Sequence, residues 1–148
     1  MFRKFLTLRI KKIIGKIHLW LGLSSGLVVF ILGITGCMLA FEEELKEILY
    51  HNRYTVKEIG THRLSADQLL SNAQTVLGTE KQPKRIVTYE KPDRAVEVVS
   101  FHRNEEGWNY FNTLDFYYTL YINPYTGQVQ YVENTKNEFF YVLVTLHY

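Results

Sequence analysis

Leu19 to Phe41 is a run of 23 residues without one charged side chain, and nothing comparable recurs along the chain. At 1.5 Å per residue it makes a helix of roughly 34 Å, enough to cross a ~30 Å hydrocarbon core with modest tilt. Beyond Phe41 the helix is expected to continue as an amphipathic stalk through Glu42–Ile48, and a polar stretch of about 51–64 follows. Ser65-Ala66-Asp67-Gln68 is a capping box with Ser65 as N-cap. Ala66, Leu69, Leu70, Ala73, Val76 and Leu77 then recur at helical spacing until Gly78 stops the helix. Arg85–Tyr89 and Ala95–His102 read as strands around the turn Lys91-Pro92-Asp93. Phe116–Ile122 and Gln128–Val132 flank Asn123-Pro124-Tyr125-Thr126-Gly127, where proline presets the turn and glycine supplies positive φ. The pattern predicts a membrane α+β chain: one N-terminal transmembrane helix over 19–41, then a helix packed on a small antiparallel sheet within 65–133, joined by a stalk and linker over 42–64.

Charge sets the expected orientation. Residues 1–41 hold six bases (Arg3, Lys4, Arg9, Lys11, Lys12, Lys16) and no acid, while the other eleven bases and all fifteen acids follow, a net −4. A basic amino side and the Glu42-Glu43-Glu44 exit place residues 1–18 in the cytoplasm and residues 42–133 across the membrane. The basic cluster abuts an apolar span instead of covering a folded surface, so nucleic acid is not an expected partner. The lone Cys37 excludes an internal disulfide and any CxxC site. Ile34-Thr35-Gly36-Cys37 has the outline of a lipidation signal, but four apolar residues follow where a polar tether is usual. A cleaved signal peptide would have a shorter apolar stretch and a small-residue cleavage site.

The glycines of the span form a pattern of their own. At about 100° per residue, with His18 at zero, Gly36 falls near 0°, Gly22 near 40°, Gly33 and Gly15 near 60° and Gly26 near 80°. Glycine costs helix stability, so a glycine stripe expects close approach of a helix or a flat cofactor. Gly22, Gly26, Gly33 and Gly36 are the expected packing positions, and further membrane helices, from this protein, another copy or another subunit, are the expected partners beside the lipid bilayer.

Lys16-Ile17-His18-Leu19-Trp20-Leu21-Gly22-Leu23, then Gly33-Ile34-Thr35-Gly36 and the Phe-Glu-Glu-Glu-Leu exit, resemble the first helix of PepSY-associated transmembrane proteins. Ser65–Leu77, the hairpin after it and Tyr121-Ile122-Asn123-Pro124-Tyr125-Thr126-Gly127-Gln128-Val129 resemble the exported PepSY domain of that family. Phe139 to His147 resembles the start of the family's second membrane helix, so 134–148 is expected to begin one. Its ten residues from Phe139 reach only about 15 Å. A longer product, a truncated gene and a terminal strand are the alternatives.

The family includes haem-containing inner-membrane proteins linked to ferric-siderophore reduction. The resemblance therefore implies a bacterial inner (cytoplasmic) membrane protein acting in iron uptake, with haem b as cofactor, a ferric siderophore as substrate, and His18 and His147 as axial ligands. Those two histidines lie too far apart to clamp one iron, so each expects a partner on another helix and the pair suggests a two-haem relay. His51, His62 and His102 show no metal-ligand spacing. Aromatic residues crowd 108–131, and in strands such residues more often build core and cross-strand pairs than a groove. A non-enzymatic anchored binding module and a truncated remnant are the other readings.

Overall fold

The computed structural model describes residues 2–108 and 112–147, and side chains except those of 2–9 and 146. Arg3, Lys4, Arg9, Leu146 and Tyr148 of the sequence reading therefore lie, in side chain or entirely, outside the described part.

Helix α1 runs Phe2–Ala40, well before the uncharged run begins. Its portion Ile10–Ala40 contains an 18-residue window of mean hydropathy 2.1 and is long and apolar enough to cross a membrane. At Phe41 the backbone opens to φ −109°, ψ 25° and the chain bends into α2, Glu42–Leu49. Three glutamates in the first turn of α2 face the positive end of its dipole, and Lys46 pairs with Glu42 at 2.5 Å one turn on. The stalk is thus a separate helix and not a continuation of α1. A short α3, His51–Tyr54, completes it.

The segment 51–64, read from sequence as a polar linker, carries core. Ala95 N–H donates to Tyr54 O and Val56 N–H to Asp93 O, each at 2.8 Å, so the chain is pinned at the start of the second strand. Tyr54 and Val56 are buried with Ala95 and Tyr121. Helix α4, Ala66–Leu77, opens with the expected capping box of Ser65 and Gln68 and ends before Gly78, whose φ of 80° only glycine adopts easily.

Four strands follow, β1 Arg85–Val87, β2 Val96–Arg103, β3 Leu114–Ile122 and β4 Val129–Asn134. They pair as an antiparallel meander in the order β1-β2-β3-β4. The period of two sends Val96, Val98, Leu120 and Ile122 to one face, where Leu69 and Ala73 of α4 close the apolar core. The opposite face carries Tyr117, Thr119 and Tyr121 toward the stalk. From β4 the chain passes through a 3-10 turn at Thr135–Asn137 into α5, Phe139–His147. The Glu138 carboxylate caps α5, accepting from the amides of Phe140 and Tyr141 at 2.9 and 3.1 Å. The terminal stretch is helical, not a strand. The chain is therefore a membrane helix followed by a small α+β domain, with α5 returning to pack on the end of α1.

Candidate functional site

The junction of α5 and α1 brings three sequence-predicted residues together. His147 lies against Gly36: a Cβ on that glycine would stand 3.1 Å from His147 Cε1. His147 Nδ1 and Thr35 Oγ1 are 2.9 Å apart. Thr35 Oγ1 is also 2.9 Å from Ile31 O and 3.2 Å from Leu32 O, acceptors that take its only proton. When the Thr35 hydroxyl donates to either carbonyl, the neutral ring donates Nδ1–H to Thr35 and Nε2 carries the lone pair. Thr35 is 6% exposed near the carboxyl end of a helix whose residues 10–34 are all exposed. A metal held by this imidazole would be held through Nε2, with Nδ1 oriented by a hydroxyl, the usual arrangement of a ligand histidine.

His18 sits elsewhere. It lies eighteen residues before Gly36, five full turns or about 27 Å along the same side of α1. Its ring is exposed, and a Cβ added at Gly15, Gly22, Gly26 or Gly33 meets nothing within 4 Å. The structure therefore brings His147 to the glycine stripe at Gly36 and leaves His18 and the other four stripe glycines uncovered. The helix surface beside His18 is bare of side chains at Gly15 and Gly22, whereas the His147 ring itself fills the space over Gly36.

A second cluster lies between the stalk and the open face of the sheet, lining a cavity of about 560 Å³. Tyr121 is 3% exposed; its hydroxyl donates to Glu133 Oε2 at 2.9 Å and lies 3.3 Å from the Tyr54 hydroxyl. Glu133 is closed on its other oxygen by Arg53 at 2.6 Å. Burial pushes the Glu133 carboxyl above the usual carboxylate range, against the opposing pull of the Tyr121 hydrogen bond and the Arg53 charge. Burial and the neighbouring Tyr54 push the Tyr121 phenol well up as well. Across the cavity Tyr89 donates to Glu97 at 2.8 Å, and burial with that carboxylate raises its phenol to about 12. Arg94 binds Glu47 at 2.5 Å and covers the rings of Tyr54 and Tyr89. The cavity can hold a polar ligand of mixed charge against four tyrosine rings. Its wall joins residues as far apart as Glu42 and Thr135, and Arg53 holds Glu133 there, a pairing that no local sequence signal marks.

His102 pairs with Asp115 at 2.8 Å on the surface of β2–β3. It is not joined by His51 or His62, and among the described residues no three metal-ligating side chains converge.

No curated protein matches the chain. Residues 16–148, from the turn that carries His18 through the sheet to α5, match the model of the PepSY-associated TM region, and the chain belongs to that family.

Proposed function

We propose that this membrane-anchored protein carries electrons through haem b, with His147 as one axial ligand through Nε2 and His18 as a ligand of a second haem. In this reading the amino end is cytoplasmic in a bacterial inner membrane, residues 42–133 are periplasmic, and the electrons reach a ferric siderophore in iron uptake. The observation that carries it is the Thr35–His147 hydrogen bond over Gly36, which orients the ring where α5 meets the membrane helix. When bound, haem supplies one-electron redox chemistry in a low-dielectric setting. Thr35 holds the Nδ1 proton, Gly36 gives the ring its place, and the open glycine surface by His18 leaves room for a planar group. A second protein ligand for either iron would come from another helix. The Glu42–Glu44 exit and the tyrosine-lined cavity lie on the domain side, where a ferric complex would arrive.

The test is the difference spectrum of the protein expressed from its full reading frame. A b-type spectrum is expected, reduced in His147→Ala and again in His18→Ala. A haem-free product, or haem content indifferent to both substitutions, overturns the proposal.

The cavity favours a second reading, an anchored module that binds a polar ligand or peptide without redox chemistry. It expects normal function in His18→Ala and His147→Ala, with loss on filling the cavity by Thr119→Trp.

A further inference from the structure

The chain leaves the sheet at one particular end. β4 runs antiparallel to β3, pairing Ile122 with Val129 and Tyr118 with Asn134, so it delivers the chain at the end where the β2–β3 loop projects. Three contacts tie that loop's base to the path into the membrane. Lys136 Nζ donates to Leu114 O at 2.6 Å, the Thr119 and Thr135 hydroxyls lie 2.7 Å apart, and the Tyr117 ring meets Tyr141 of α5 edge-on at 5.6 Å. The stalk confirms the polarity: Lys46 lies 3.7 Å from Glu138 near the root of α5, while Thr55 bridges Arg94 at the opposite end of β2. The β2–β3 loop therefore hangs from the bilayer end of the domain.

Its reach is sufficient. From the Tyr117–Tyr141 contact, Leu114 is three residues further along the strand, about 10 Å. His147 is six residues further along the helix, about 9 Å, and it already lies beside Gly36 of α1. The loop extends beyond Leu114, and its described residues, 104–108 and 112–113, are tied together. Asn104 N–H donates to Thr113 O at 2.8 Å, Gly107 N–H closes a turn on Asn104 O at 3.2 Å, and Glu106 N–H donates to the Asn104 side chain at 3.0 Å. Gly107 is pressed so tightly on the returning strand that a Cβ would stand 2.5 Å from Asn112 O. Next to this closed turn Trp108 is 87% exposed, more than any other large apolar side chain among the described residues. Phe41 and Phe139, at the roots of the stalk and of α5, are exposed as well.

We infer that the end of the β2–β3 hairpin seats in the interfacial layer of the bilayer, with Trp108 as its anchor. An indole pairs a broad apolar face with one N–H donor, a combination favoured at the boundary of headgroups and acyl chains. The hairpin gives the domain a support on the membrane separate from α1 and α5 and so limits its rocking about the Phe41 bend. Glu105 and Glu106 flank the turn, so the surface it fits is neutral lipid and not an anionic one.

The test uses the full chain with Trp20→Phe, leaving Trp108 as the sole tryptophan, in phosphatidylcholine vesicles. The expected result is emission shifted to shorter wavelength and quenched by lipids brominated near the headgroup end of the acyl chain. Emission typical of water, quenched by acrylamide and untouched by bromolipid, overturns the inference. Protection from both quenchers also overturns it, because protein then covers the indole. Should Trp20→Phe fail to insert, a nitroxide on Trp108→Cys in a Cys37→Ser background reads the same depth. More collision with dissolved oxygen than with a water-soluble nickel chelate is expected, and the reverse order contradicts the proposal.

Discussion

The domain and the membrane helix differ in where their interactions end. In the domain, α4 closes an apolar core on one face of the sheet, and on the other Tyr121, Tyr54, Glu133 and Arg53 satisfy one another. In α1, only 6% of the most apolar window is buried within the chain. Four of its glycines have empty space where a side chain would be, although each costs a helix roughly 0.5–1 kcal/mol relative to alanine. The domain is built to hold itself together. The helix is built for lipid and, in our proposal, for other helices and a flat cofactor, and among its described residues the contact with the rest of the chain centres on Thr35 and Gly36.

That contrast is broken most strongly from the domain side. Leu120→Ala empties a fully buried site between α4 and the sheet, and a loss of about 2–5 kcal/mol is expected in denaturant unfolding of the detergent-solubilised chain. The helicity of α1 should survive it. Tyr121→Phe takes the hydroxyl from Glu133 Oε2 and should cost about 1–3 kcal/mol on the same scale, since a buried acceptor loses its donor.

A smaller effect follows from Glu133. Its folded pKa lies above its ordinary value of 4.5, so the folded state binds the proton more tightly than the unfolded chain. The resulting stability is fully present below that value and is lost as pH rises through the raised folded pKa. Melting temperature should therefore decline above pH 4.5 into the mildly acidic range, and Glu133→Gln should flatten that slope; a slope of opposite sign would contradict the assignment. The smallest expected change is on α1. Gly26→Ala meets nothing within the chain and should leave domain unfolding unaltered, while thermal melting of the helix gains up to about 1 kcal/mol. If the same substitution disrupts a complex in the membrane, Gly26 is a packing position for another helix.

Legibility in the sequence followed the range of the interactions. The Ser65–Gln68 capping box spans three residues, and the turn at Asn123–Gly127 needs only its own proline and glycine; both stand where the sequence places them. The strands came within a few residues of their positions because alternation in Val96–Arg103 and Leu114–Ile122 is local. The break at Phe41 was invisible because Glu42–Ile48 continues the helical period without a glycine or proline. Tyr54 and Val56 hid in a polar stretch because their burial depends on Ala95 and Tyr121, far along the chain. The same distance concealed the Arg53–Glu133 pair, separated by 80 residues. Thr35, Gly36 and His147 were each noticed, but the hydrogen bond joining them spans 112 residues and only the fold reveals it.

The most direct test of the central claim is the haem affinity of Thr35→Ala and Thr35→Ser in the protein expressed from its full reading frame, read by optical titration. If Thr35 orients His147 as an axial ligand, Thr35→Ala weakens binding by roughly 10–100-fold, Thr35→Ser restores it, and domain unfolding is unchanged. Wild-type affinity and spectra in both Thr35→Ala and His147→Ala would contradict the account.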